Sequence, residues 1–174
     1  MYELSKTKKI ISDFIIPIAL AAVLAIIINK FLLFKIYIPS LSMSPTLEVG
    51  DQCFATRVYN TGNIKRGDIV VFQSDELGEL LIKRVIGLPG EHVEVTDDGS
   101  VFVNGTKIQE PYVENKSPIT GRFDVPADHF LFLGDNRANS NDSRLWKNPY
   151  IDKKDIKGKA KIRVFPFSRF GILK

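Results

Sequence analysis

From Phe14 to Ile28 every residue is apolar or proline; Asn29 and Lys30 interrupt, and Phe31 to Phe34 resume the run. The span 14–34 matches the ~20 residues that a helix needs to cross a bilayer, so the pattern predicts one transmembrane anchor. Pro17 falls near its first turn, where a missing N–H costs least, and Lys30 sits near one end, where its stem reaches the interface. A removable signal peptide is the rival reading. The run is long for that, and no small-x-small site follows it before Ile36. Residues 1–13 are a short tail. Lys6, Lys8 and Lys9 on one side against Lys30 and Lys35 on the other leave only a slight positive-inside bias.

Past the anchor the pattern changes to short runs of β type. Strands are predicted over Gln52–Val58, Asp68–Phe72, Leu80–Ile86, His92–Thr96, Ser100–Val103, Phe130–Leu133 and Lys159–Phe165. Asp97-Asp98-Gly99 and Asn104-Gly105 are hairpin signals. No later stretch keeps a helical period, and no repeat or low-complexity linker occurs. Residues 36–174 are therefore expected to form a single, mainly β, antiparallel domain.

Three stretches carry candidate chemistry. Pro39-Ser-Leu-Ser-Met-Ser-Pro45 puts Ser40, Ser42 and Ser44 within five residues between two prolines. The prolines favour an extended chain, in which alternate residues point the same way, so the three hydroxyls are expected on one face. A polar turn leaving a membrane segment is the plainer reading. In Leu80-Leu-Ile-Lys-Arg-Val-Ile86, Lys83 shares one face with Leu81 and Val85, and Arg84 shares the other with Leu80, Ile82 and Ile86. Arginine stays protonated and needs a carboxylate. Buried lysine can instead become neutral, and a neutral amine is a general base. A lysine that snorkels out or pairs with an acid is the ordinary alternative. Gly134-Asp-Asn-Arg-Ala-Asn-Ser-Asn-Asp-Ser-Arg144 is dense in turn formers and follows an apolar strand. It offers Asp135, Asp142, Ser140 and Ser143. Arg137 at a ligand position, and no glycine or terminal glutamate in register, argue against a calcium loop.

Composition narrows the partners. A net charge of +4 with scattered basic residues gives no nucleic-acid stripe; a lipid bilayer suits it better. The single cysteine, Cys53, rules out an internal disulfide, and no Cys/His group has metal-ligand spacing, so neither metal nor cofactor is expected.

These motifs, in this order, resemble the type I bacterial signal peptidases, membrane-anchored serine–lysine proteases that remove signal peptides. The match covers the anchor, Pro39–Leu47 with Gly50-Asp51, Arg66–Phe72, Lys83-Arg-Val-Ile-Gly-Leu-Pro-Gly-Glu91, and Gly134–Arg144. The resemblance implies Ser42 as nucleophile and Lys83 as general base. It implies Ser40 as a side-chain donor of the oxyanion hole beside the Ser42 backbone N–H, and Ser140 as the hydroxyl that orients the lysine. Asp135 would pair with Arg84, and Asp142 with Arg144. It further implies a single-pass protein of the cell membrane with its catalytic domain on the extracytoplasmic face, acting on signal-peptide-bearing secretory precursors. Ile36, Ile38, Met43, Leu47 and Ile82 are candidates for shallow pockets that admit small side chains, or for core. Two departures stand out. Lys147-Asn-Pro-Tyr-Ile151 replaces a Gly-Phe-Val that often follows the last motif, and the stretch before Gly134 is short, making this a compact form.

Rival chemistries remain on the page. His92 and His129 would be needed for a Ser-His-Asp triad, and Cys53 for a thiol nucleophile; both histidines lie beside turns and no histidine neighbours Cys53. Self-cleaving repressors share the serine–lysine dyad but carry a DNA-binding domain where this chain has an apolar helix. An anchored β domain that only binds would need no neutral lysine.

Overall fold

The computed structural model describes residues 9 and 11–173; most of the predicted tail 1–13 lies outside them. The chain divides into two units, one ending at Phe34 and the other starting at Lys35. The first contains a helix, α1, over Ile11–Leu32, with a mean hydropathy of 2.6. It starts before the predicted Phe14 and stops before Phe34, because Leu33–Tyr37 is extended as strand β1.

The second unit is mainly β, with a few short 3-10 turns. Its strands are β2 (Gln52–Arg57), β3 (Ile69–Ser74), β4 (Glu79–Gly87), β5 (His92–Val95), β6 (Val101–Val103), β7 (Thr106–Lys107), β8 (Gly121–Asp124), β9 (His129–Leu133), β10 (Tyr150–Asp152), β11 (Ile156–Phe165) and β12 (Gly171–Ile172). A large sheet runs β1-β2-β11-β3-β4-β9-β10, with β12 on β11, and a small one runs β7-β6-β5-β8. The pairings between β2 and β11, β11 and β3, β3 and β4, and β4 and β9 are antiparallel. Asn104 and Gly105 both take positive φ, 49° and 78°, which is the two-residue turn that β6 and β7 require.

Strands β4 and β9 stand between two apolar clusters, which is why both of their faces are apolar in sequence. Val85, Phe130 and Phe132 enter one cluster with Phe72, Val70 and Trp146. Ile86, Leu131 and Leu133 enter the other with Val93, Val95, Val101 and Phe123. In the first, the Phe72 and Phe132 rings stack with centroids 4.3 Å apart, and Trp146 meets Phe72 edge-on at 6.2 Å. Such aromatic pairs add to the stabilisation that burial itself provides.

The structure departs from the sequence reading in the strands and in the serine segment. The strand predicted at Lys159 begins at Ile156. Strands β1, β8, β10 and β12 gave no sequence signal. They are short, and β8 carries one buried side chain, Phe123, so no alternation could show. The serine segment is not an extended strand. Residues 40–47 form consecutive turns, and Ser44 bonds away to Glu48 (2.8 Å), so the three hydroxyls do not share a face. Beyond the last long strand, Phe167 and Phe170 are 82% and 62% exposed.

Phe72→Ala should cost about 3–5 kcal/mol, because it removes a stacked ring from a closed cluster. Chemical denaturation of the purified chain measures this; a loss of about 0.5 kcal/mol, typical of a surface position, would show that the cluster does not hold the sheet together.

Candidate active site

The serine-bearing loop is closed at its neck, where Ile38 N–H donates to the Asp51 carbonyl (3.0 Å) and Gly50 N–H to that of Ile38 (2.9 Å). Gly50 takes φ 92°, a conformation that favours glycine. Within the loop, Leu47 N–H bonds to the Met43 carbonyl at 2.8 Å. Ile38, Met43 and Leu47 are 1%, 0% and 0% exposed. They anchor the loop from behind; Ile36 is buried too, at 9% exposure, and Ile82 is half-buried. Of the two roles open to these residues, pocket lining or core, Ile38, Met43 and Leu47 take a place in the core, because an apolar side chain beneath a tight turn is drawn inward.

The inward packing leaves Ser42 facing β4. Lys83 Nζ donates to Ser42 Oγ at 2.7 Å, and Ser40 Oγ lies 3.3 Å from the same oxygen. Lys83 is 4% exposed. Burial lowers its pKa from 10.5 to about 8, although Asp142, Glu79 and Asp135 pull the other way. Desolvation dominates because no carboxylate contacts the amine directly; its bond goes to a neutral hydroxyl. A short contact between a hydroxyl and an amine that is readily neutral permits proton transfer from one to the other.

Arg84, one residue on, is charged and fully answered. Its Nε and Nη2 donate to the two Asp135 oxygens at 2.8 and 2.6 Å, and Nη1 donates to the Gly67 carbonyl at 2.7 Å. Thr46 Oγ1 donates to Asp135 Oδ2 at 2.5 Å, which ties the serine loop to this pair. Asp142 accepts from Arg144 Nε and Nη2 (2.8 and 2.9 Å) and from Gly134 N–H (2.9 Å). The Arg84–Asp135 and Arg144–Asp142 pairs are buried and bidentate, the geometry in which arginine holds carboxylate best.

Gly134 is where the two loops touch. A Cβ there would fall 2.4 Å from the Ser42 carbonyl oxygen and 2.2 Å from Ser140 Oγ, so only glycine allows the approach. Asn136 N–H also donates to that carbonyl, at 3.1 Å. Ser140 is therefore beside the Ser42 loop and buried, but its hydroxyl hydrogen-bonds no described residue, Lys83 included.

Other residues of the site were not among the sequence candidates. Arg163 donates to the Thr46 carbonyl (2.8 Å) and Arg169 to that of Pro45 (2.9 Å), and both arginines pair with buried Asp51. Arg163, a cation between the apolar Ile162 and Val164, carries a sequence signal of the kind that singled out Lys83. The altered segment after Trp146 is held differently: Glu76 accepts from Lys147 N–H (3.1 Å) and Asn148 N–H (2.9 Å), and Ser143 Oγ donates to the Pro149 carbonyl (2.7 Å).

The rival groups stay apart. His92 pairs with Asp124 and His129 Nδ1 contacts the Ala127 carbonyl, both at exposed positions. Burial raises the Cys53 thiol to about 11, which disfavours a thiolate. Among the described residues no His/Cys/Asp/Glu group has the arrangement of a metal site.

Residues 11–165 match the family described as signal peptidase, peptidase S26. The chain belongs to the signal peptidase family. Signal peptidase I of Leptolyngbya laminosa is 45% identical over 166 residues, covering 90% of this chain and 80% of that one. Signal peptidase I of Bacillus licheniformis is 38% identical over 92% of both chains, and signal peptidase IB of Staphylococcus aureus 38% identical over 94% of both. A solved signal peptidase I from Enterococcus faecalis is 32% identical, covering 56% of this chain and 96% of that one, with a TM-score of 0.48. The activity is accordingly that of a signal peptidase I.

In this family member the buried amine also sets a pH dependence of stability. Folding lowers the Lys83 pKa, so between about 8 and 10.5 the unfolded chain binds more protons than the folded one, and stability rises with pH. Below about 8 both states are protonated and the cost is fully present. Lys83→Met should be more stable than wild type at pH 7 and should lose that rise. Urea denaturation across the window checks it; equal stabilities with equal pH slopes would mean that the amine is not desolvated.

Proposed function

We propose that this chain is a membrane-bound serine endopeptidase that cleaves N-terminal signal peptides from exported precursors through an acyl-enzyme. The observation that carries this reading is the 2.7 Å contact between Lys83 Nζ and Ser42 Oγ, on an amine whose pKa is lowered to about 8.

In the proposed cycle neutral Lys83 removes the Ser42 hydroxyl proton as Ser42 Oγ attacks the scissile carbonyl carbon. The developing oxyanion is met by the Ser42 backbone N–H and the Ser40 hydroxyl, whose position 3.3 Å from Ser42 Oγ supports that role. Protonated Lys83 passes its proton to the leaving amine, and the mature protein departs. A water molecule, deprotonated by the same amine, then releases the signal peptide and regenerates Ser42. Arg84, Asp135, Asp142 and Arg144 hold the two loops that carry these groups. Ser140 is assigned the orienting role for Lys83 that the family resemblance implies; its buried hydroxyl supports a place in the site.

Residues 14–34 are proposed as the anchor and 36–174 as the peptidase domain, on the extracytoplasmic side of the cell membrane where exported precursors emerge. An apolar helix of 22 residues supports the anchor. Anchoring raises the local concentration of a membrane-embedded substrate. Half-buried Ile82, together with Ile36, which is buried to 9% exposure, is proposed to line a shallow pocket selective for small residues.

Ser42→Ala, Lys83→Ala and Lys83→Arg should each lower cleavage of a model precursor by at least about 10³-fold without unfolding the domain, the arginine failing because guanidinium stays protonated. For the wild type, kcat/KM on a short peptide should rise with pH along one ionisation near about 8. Turnover retained in Lys83→Ala but lost in His92→Ala would overturn the assignment.

A further inference from the structure

The segment Glu110-Pro-Tyr-Val-Glu-Asn115 follows β7 and belongs to no strand. It touches the 134–144 loop and its arginine partner at three points. The Tyr112 ring covers the Arg84 guanidinium, whose carbon is 3.8 Å from the ring centroid. Glu110 Oε1 accepts from Arg137 Nη2 at 2.5 Å and from the Tyr112 hydroxyl at 2.8 Å. The Asn115 carbonyl accepts from Ala138 N–H at 3.1 Å. Glu110 and Arg137 side chains are 8% and 1% exposed, so the pair is desolvated and its geometry is restricted.

The path leads on to the reacting groups. Arg137 Nε donates to the Gly134 carbonyl at 3.0 Å, and its own carbonyl accepts from Arg144 Nη2 at 2.8 Å. Gly134 is the residue wedged against the Ser42 carbonyl and the Ser140 hydroxyl. Arg84, under the tyrosine, adjoins Lys83 and holds Asp135, which in turn holds Thr46 of the serine loop. We propose that Glu110 and Tyr112 are positioning residues: the 110–115 segment is a strap that clamps Arg84 and Arg137 from outside and thereby fixes the spacing between the Ser42 and Gly134 loops.

The strap acts on the dyad through packing and contacts no reacting atom. A planar ring over guanidinium excludes water from the Arg84–Asp135 pair and leaves the in-plane N–H groups free for the carboxylate, as Arg84 shows by using Nε and Nη2 for Asp135. Removing the ring opens that face to solvent. The displacement needed for an effect is small, because a misplacement of about 1 Å costs on the order of 100-fold in rate.

This inference rests on Ser42 and Lys83 being the dyad. Tyr112→Leu, Tyr112→Phe, Ser42→Ala and Lys83→Ala are compared in the full chain on a short peptide, well below the melting temperature of each, with folding followed by circular dichroism. Tyr112→Leu should lower kcat by about 10- to 100-fold with KM within about twofold, and should move the pH midpoint of kcat/KM upward, because a Ser42 loop that slackens against β4 covers the Lys83 amine less. Tyr112→Phe keeps the ring and should recover most of kcat and the original midpoint. A folded Tyr112→Leu with wild-type kcat and pH midpoint, changed only in melting temperature, overturns the strap. So does a Tyr112→Leu that fails to fold beside a fully active Tyr112→Phe, since the ring would then be a stability element alone. Activity retained in Ser42→Ala or Lys83→Ala refutes the dyad itself, whereas inactive dyad variants beside an unaltered Tyr112→Leu refute the strap alone.

Discussion

Lys83 and Arg84 are adjacent on a buried strand, and the fold treats their charges in opposite ways. Guanidinium cannot lose its proton, so Arg84 draws in a carboxylate, a carbonyl and an aromatic face until its charge is matched. The lysine next to it receives a hydroxyl and apolar walls, and its charged form is disfavoured instead. Much of the site follows from this asymmetry. Matching Arg84 requires Asp135, Asp135 also receives Thr46, and the serine loop is thereby drawn to the strand that carries the amine. The stabilising ion pair and the amine–hydroxyl contact are two outcomes of one local arrangement.

The sheet makes the arrangement possible. A strand with apolar clusters on both sides can present neighbouring residues to two different interiors, and β4 does so with Val85 and Ile86. Lys83 and Arg84 continue the same alternation. An edge strand with one wet face would have let one of the cations escape to water, and neither the lowered pKa nor the dense set of partners would have arisen.

Much of this was legible in the chain. The apolar run announced the helix, the alternation of β3, β4 and β9 announced the sheet, and the ordered serine, lysine and aspartate motifs announced which residues would meet. The conformation of the serine segment was not. Proline spacing suggested an extended chain, but Met43 and Leu47 are pulled beneath it and bend it into turns. The supports were also hidden. Thr46 and Asp135 are 89 residues apart, Arg84 and Asp135 51, and Thr46 and Arg163 117. Contacts over such separations leave no periodic trace. Glu110 and Tyr112 lie in a strandless stretch whose pattern matches that of an ordinary polar loop.

The central claim is that folding leaves the Lys83 amine neutral enough near physiological pH to act as a base toward Ser42. Its most direct test is an NMR titration of the full chain with nitrogen-labelled lysine, the Lys83 resonance being assigned by its absence in Lys83→Met. Desolvation against Ser42 predicts a midpoint near about 8. A resonance that titrates at 10.5, the ordinary lysine value, in protein that still cleaves peptide at neutral pH would contradict it.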